Sequence, residues 1–402
     1  MSAERSRIKI QPAASIFMII VLALFLFDRG FSKLPLKGPL YVHDFLLILA
    51  TMVALVRTKL TFKFPSIFLL CLISIIYLVK SIFFFDLGGD YLIYLFRQFF
   101  LFFYLICCYI IANKVFETPE NIDKAIAIIK KIAFWSIVFQ LIYFAYLYAT
   151  VPNYSPLTTF SYYSSVVVMG VLTYGAYALV FFNGSKRALV FLMALIISGL
   201  LGHASSFFAL FVMLLIHFYI SFTPKVRFIT AGVLLVILVL LFQLPQFNDN
   251  NATWRIIYWS QVVHRAVIDN FMIFGDGFGR PYMSLEDAKV FTRQINSSFM
   301  ETGVNYKYER WVTPPHNSFL TIIHHIGVVP LLLLFLPIKG LFSQIFIESR
   351  SMDKDRLFLF FTLWGLIIWV FFNVILELPH SAIYFWLIYF TYIFYEKRTS
   401  KE

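Results

Sequence analysis

Two residues far apart in the chain, Arg255 and His316, have side chains that together suit a phosphorylated substrate. A guanidinium presents paired N–H donors that match phosphate oxygens. An imidazole titrates near neutrality and can take or return a proton. His316-Asn317 opens an apolar run and so sits at a helix N-terminus. Free backbone N–H groups and the helix dipole favour an anion there. The pair could therefore bind a phosphate or pyrophosphate and manage a proton. The plainer reading is that His316 and Asn317 cap the helix while Arg255 snorkels to an interface.

Composition decides which elements carry these residues. Of 402 residues, 60% are hydrophobic, 20% aromatic and only 13% charged, and the mean hydropathy is +0.81. A soluble domain is closer to half apolar and a quarter charged. The apolar surplus needs lipid as solvent, which forces every spanning backbone group to be paired within a helix or a closed barrel. Period-two alternation is absent and unbroken apolar runs of about 20 residues recur, so helices are expected. The net charge of +12 is accounted for by basic loops that hold the topology, and no nucleic-acid partner is expected. Cys71, Cys107 and Cys108 fall in apolar runs and read as small core hydrophobes. Residues 1–12 are basic and no small-residue cleavage site follows the first run, which reads as an uncleaved anchor.

Apolar runs near 13–28, 40–56, 64–84, 91–112, 132–150, 162–182, 188–201, 204–222, 228–245, 317–338, 357–376 and 380–396 predict twelve spans. With the N-terminus inside, the segments on that side hold 21 lysines and arginines, against Arg29, Lys33 and Lys37 in the short outer loops. This bias puts both termini in the cytoplasm. Residues 1–245 then carry nine spans, 246–316 form one large outer loop, and 317–402 carry three more spans and a cytoplasmic tail. The expectation is an all-α integral membrane protein with about twelve transmembrane helices.

The outer loop has 71 residues, seven basic and seven acidic. Structureless loops of that length are rare, so internal helices are expected. Thr253 is placed to cap a helix over 254–270, with Trp259, Val262, Val263 and Ala266 on one face. Gly275-Asp276-Gly277-Phe278-Gly279 would end it as a flexible turn. Thr313-Pro314-Pro315 stiffens the chain before His316.

In this order and spacing, Arg255-x-x-x-Trp259, Gly275-x-Gly277-x-Gly279, His316-Asn317-Ser318-Phe319-Leu320 and Gly327 resemble the O-antigen ligase and O-antigen polymerase superfamily, over roughly 190–335. The resemblance implies a GT-C-like glycosyltransferase of the bacterial inner membrane with its large loop in the periplasm. Such an enzyme passes a glycan from undecaprenyl pyrophosphate to an acceptor sugar hydroxyl, with no nucleotide sugar, metal or other cofactor. Its partners would be the lipid-linked glycan, an acceptor glycolipid or glycan, and membrane lipids. Arg255 would hold the pyrophosphate, neutral His316 would take the acceptor proton, and Arg280 would be a second phosphate contact. The ligase pattern of His, a small amide or Ser, nine residues and Gly is met by His316, Asn317 and Gly327. That favours ligase over repeat-unit polymerase.

The chain also departs from the pattern. His203-Ala204-Ser205-Ser206-Phe207 has serine where ligases carry arginine, and the outer loop near 150–161 lacks the arginine that polymerases commonly use. Arg97, in a mostly apolar run over 91–112 and about two turns from its outer end, is the candidate for the missing cation. Its alternatives are snorkelling, or pairing with Asp86 or Asp90. Tyr258 and Trp259, beside Arg255, are placed for sugar stacking. Glu377 and His380, and likewise His43-Asp44, read first as helix caps, and Lys80 as a snorkelling residue. His324-His325 with His316 lack a carboxylate or cysteine to complete a metal set. A lipid-linked oligosaccharide flippase or other transporter is the alternative from another class. It should show two related six-helix halves and charges lining a membrane-depth cavity, whereas polar residues here concentrate in one outer loop.

Overall fold

The computed structural model describes residues 11–37, 40–56, 62–84, 89–150, 165–200, 204–221, 250–283, 314–346 and 352–400, with scattered positions over 226–236. The expected span at 228–245 apart from those scattered positions, the loop residues 151–161, Asp86, His203 and the outer-loop residues 246–249 and 284–313 lie outside the described residues, as do the side chains of Asp90 and Thr253.

The helices are α1 (Pro12–Ser32), α2 (Val42–Val56), α3 (Pro65–Phe84), α4 (Gly89–Val115), α5 (Pro119–Thr150), α6 (Ser165–Phe181), α7 (Gly184–Leu200), α8 (Ala204–Ser221) and α9 (Asn250–Ile268). They continue as α10 (Ser318–Ile326), α11 (Val328–Phe335), the short α12 (Lys339–Ser343), α13 (Lys354–Phe371) and α14 (Pro379–Thr399). Among the described residues the only strands are Pro35–Lys37 and Leu40–Tyr41, an antiparallel pair before α2.

This is an all-α membrane protein. The stretches Pro65–Phe83, Leu95–Val115, Pro119–Thr150, Ala204–Ser221 and Val328–Phe346 are long and apolar enough to cross a membrane. Leu22, Leu26, Ile76, Phe83, Trp135 and Ile142 stand exposed on the helices, as side chains do when lipid is the solvent.

α14 is the axis of the bundle. Residues 380–395 are all buried, and the helix packs on α1, α4, α5, α6 and α13. A helix enclosed on every side belongs in a core. Its tyrosines lower its hydropathy, and the hydroxyls of Tyr384 and Tyr389 find partners inside the bundle. Tyr389 donates to the Leu334 carbonyl at 2.5 Å, and the Tyr384 and Thr173 hydroxyls lie 3.0 Å apart. The three cysteines are buried and free.

Three expectations shift. α9 starts at Asn250, so Thr253 lies inside the helix instead of capping it. Its buried stripe is Tyr258, Val262 and Ala266, spaced by four, while Trp259 and Val263 are half-buried. The apolar run at 317–338 is not one helix: it breaks at Gly327, between α10 and α11.

Candidate functional site

Asn317 begins the site. Its side-chain oxygen accepts from the backbone N–H groups of Phe319 and Leu320, both at 3.1 Å, and so caps α10. His316, just before it, has φ +51°, a left-handed backbone uncommon outside glycine. That turn carries the imidazole onto α9, where the Trp254 ring meets it edge-on with centroids 5.0 Å apart. Arg255, the next residue on α9, stands close enough for its charge to act on the imidazole. Burial first, and Arg255 second, lower the His316 pKa to about 4, which leaves it neutral at pH 7.

α9 is latched on two sides of this point. Arg255 donates from Nη1 to the Phe372 carbonyl at 3.3 Å. Trp259, one turn on, donates Nε1–H to the Pro315 carbonyl at 2.5 Å and meets Phe371 edge-on. Ser318 ties α10 to the same neighbourhood. Its hydroxyl donates to Glu377 Oε2 at 2.6 Å and accepts from the backbone N–H groups of Ile375 and Leu376 at 3.0 and 3.2 Å. Burial raises the Glu377 pKa, and its Oε1 has no hydrogen-bond partner among the described residues. α14 has no side-chain cap, so neither Glu377 nor His380 plays the capping part expected of it.

The glycine turn is a different structure. Instead of a flexible end to α9, residues 275–279 dock onto the break between α10 and α11. Asp276 N–H donates to the His324 carbonyl at 2.7 Å and Gly277 N–H to the His325 carbonyl at 3.0 Å, and Val328 N–H returns to Met272 O at 2.9 Å. These bonds satisfy backbone groups that the helix break would leave bare. Phe278 N–H donates to Ser81 Oγ at 2.9 Å on α3, and Gly279 N–H to Gln98 Oε1 at 2.5 Å on α4. Phe278 is fully buried against Phe99 and Phe102. A Cβ on Gly327 would stand 2.0 Å from Ile273 O, and one on Gly275 2.4 Å from Ile326 N. Both have positive φ, so backbone shape and space each demand glycine.

The two histidines of α10 clamp this turn. His325 Nδ1 lies 3.1 Å from the Gly277 carbonyl, which can only accept, so Nδ1 carries the proton and Nε2 accepts from the Tyr282 hydroxyl at 3.0 Å. His324 Nε2 faces the Arg280 carbonyl at 3.4 Å. Arg265, on α9, fixes the turn from the other side, pairing with Asp269 at 3.1 Å and Asp276 at 3.5 Å and donating to the Pro281 carbonyl.

The predicted residues thus fall into two groups. Arg255, Trp259, His316 and Asn317 gather where α10 starts. Arg280 belongs to the glycine end: its carbonyl accepts from Gln98 Nε2 at 3.2 Å, next to His324, eight residues or about 12 Å along α10 from His316. Arg97, adjacent to Gln98, is exposed and donates to the Tyr41 hydroxyl at 3.5 Å. Tyr258 is fully buried with Val262, Tyr282 and Met283, so its ring face is closed to a sugar. Of the two serines in the stretch where ligases carry arginine, Ser205 accepts from Asn373 Nδ2 at 2.9 Å, and the Ser206 hydroxyl lies 2.7 Å from that of Ser198. Asp44 takes the helix-start role expected, accepting from Tyr41 N–H at 2.9 Å, and is also held by His43 at 2.9 Å and the Tyr104 hydroxyl at 3.0 Å.

Sequence reasoning missed Ser318, Gln98 and the Phe372 carbonyl. Gln98 had a readable signal, a polar side chain beside Arg97 in an apolar run. The carbonyl had none. No protein-family model matches this chain, and no curated protein matches it.

Proposed function

We propose that the protein is a glycosyltransferase that moves a glycan from undecaprenyl pyrophosphate to an acceptor sugar hydroxyl, in the manner of an O-antigen ligase. The observation that carries this reading is the convergence of Arg255 and His316 on Trp254, from positions 61 residues apart. The reaction breaks the bond between the donor sugar's anomeric carbon and the pyrophosphate oxygen. It forms one from that carbon to the acceptor oxygen. The acceptor proton goes to His316 and the leaving negative charge faces Arg255. An anion beside the imidazole favours its charged form, so donor binding raises the depressed His316 pKa and makes it a better base. The wider reading is twelve spans with both termini in the cytoplasm of a bacterial inner membrane, supported by the lysine and arginine bias of the loops. Arg280 and Arg97, at the glycine end, would meet the outer part of the same donor or its acceptor.

The test is glycan transfer in membrane vesicles loaded with lipid-linked donor and acceptor. His316→Ala and Arg255→Ala should each lower transfer by about two orders of magnitude or more, with insertion unchanged. Near-normal transfer by both variants rejects the site. Chelation by EDTA should leave the rate unchanged. Gel analysis of surface glycans in a deletion strain separates the family members: unligated polymer means ligase, single repeat units on the acceptor mean polymerase. Lipid-linked sugar crossing the bilayer with no new glycosidic bond would mean a flippase.

A further inference from the structure

A cleft of about 810 Å³ runs between α1, α4, α5 and α14. That is the size of a small-molecule site, but its walls are nearly all apolar, with Phe17, Leu22, Ile111, Ile128 and Phe139 among them. Leu22, Leu26, Trp135 and Phe139 line it and are also exposed, so the cleft opens sideways onto the surface that faces lipid. Its charged residues, Lys124 and Lys131, line it from α5 in the half nearer Asn121, and Ser136 is the one polar residue of α5 beyond them in the lining.

The two lysines are seven residues apart, which puts them on one face of α5, two turns from each other. Neither makes a hydrogen bond or ion pair among the described residues. Lys130, beside them in sequence but turned to α13, pairs with Asp355 at 2.6 Å. Among the described residues, no aspartate or glutamate lines the cleft. Above Lys131 the wall continues along α5 to Phe139, eight residues or about 12 Å. That nearly matches half of a hydrocarbon core roughly 30 Å thick. The shape is that of one leaflet's acyl chains with a phosphate at their foot.

We propose that this cleft binds an anionic diacyl phospholipid, with its phosphate between Lys124 and Lys131 and its chains against Leu22, Ile128, Trp135 and Phe139. Any lipid tail gains from the apolar wall. The lysines select the head, because a zwitterionic headgroup would bring an ammonium with no carboxylate to meet it. The site is independent of the transferase reading. On the topology proposed above it faces the cytoplasmic leaflet.

Trp135 reports on occupancy, because bromine on an acyl chain quenches an indole that it touches. The full chain is reconstituted in phosphatidylcholine nanodiscs with increasing fractions of brominated phosphatidylglycerol or brominated phosphatidylcholine. Subtracting the signal of Trp135→Phe isolates the one indole. Half-quenching should need roughly tenfold less brominated phosphatidylglycerol than brominated phosphatidylcholine. The double variant Lys124→Gln, Lys131→Gln should bring the two curves together. The charge-keeping pair Lys124→Arg, Lys131→Arg should hold them apart. Equal curves for the unmodified protein, or a preference that survives the glutamine variant, overturns the proposal. So does a preference lost in the arginine variant.

Discussion

Residues 276–279 are hydrogen-bonded to the bundle through their backbone N–H groups, whereas 254–259 and 314–318 are held by hydrogen bonds and ring contacts of their side chains. At the glycine end, four successive N–H groups from Asp276 to Gly279 are bound by the carbonyls of His324 and His325, by Ser81 and by Gln98. Those four N–H groups have nothing left over for an anion. At the His316 end, two latches through Trp259 and Arg255 set the distance, and a neutral imidazole sits beside a guanidinium. One anchor fixes where the broken helix lies. The other leaves a proton acceptor and a cation whose charge balance a bound anion would change.

The sharpest way to break the comparison is to put a methyl group into the glycine anchor. Gly327→Ala adds a Cβ 2.0 Å from the Ile273 carbonyl oxygen at a φ of +91°, and Gly275→Ala one 2.4 Å from Ile326 N at φ +71°. Each should cost several kcal/mol, on the order of 3 or more, because clash and backbone strain add. The expected outcome is a large fall in thermal stability in detergent and poor accumulation in membranes. His316→Ala should cost much less stability than either, while lowering transfer by about two orders of magnitude or more. If the glycine variants prove as stable as the parent, the glycine anchor is not what positions α10.

A smaller effect should come from the latches. Trp259→Phe removes the hydrogen bond to Pro315 but keeps the ring against Phe371 and Phe372. Stability should fall by about 1 kcal/mol, and transfer by more than the roughly fivefold to which that energy corresponds, because His316 loses its register with Arg255. Tyr282→Phe, which removes the bond to His325 at the glycine end, should cost about the same in stability and leave transfer nearly intact. Equal losses of transfer in the two variants would erase the distinction between the anchors.

Much of this was legible in the sequence, for stated reasons. Apolar runs place α2, α3, α4 and α8 because lipid as solvent writes itself directly into composition. α9 was readable from its apolar face, of which Val262 and Ala266 are buried, although the third buried position is Tyr258 and not Trp259. The helix break was not, since Gly327 sits in an apolar run that a straight helix would also explain. Its reason lies in Ile273 and Phe274, more than fifty residues earlier. Asn317 could be read as a cap or as a ligand from its position alone. The bonds to Phe319 and Leu320 show that its oxygen is engaged as a cap. Glu377 looked like a helix cap because sequence cannot tell that Ser318 will face it.

The smallest expected effect is also the most direct probe of the His316 end. The imidazole pKa is lowered from 6.5 to about 4, with burial the larger cause and Arg255 the smaller. Between those two values an unfolded or undocked imidazole holds a proton that the docked site refuses. Docking of 314–318 on α9 is therefore at full strength above about pH 6.5 and weakens as the pH falls toward 4. Nitrogen NMR of the histidine-labelled protein should show His316 neutral down to about pH 4. Arg255→Gln should raise the midpoint only slightly, because burial remains. A bound diphosphate should raise it further, because the anion favours the imidazolium. A diphosphate that leaves the midpoint where it was would mean that the anion does not sit beside His316. The His316 end would then be a second structural anchor, no different in kind from the glycine one.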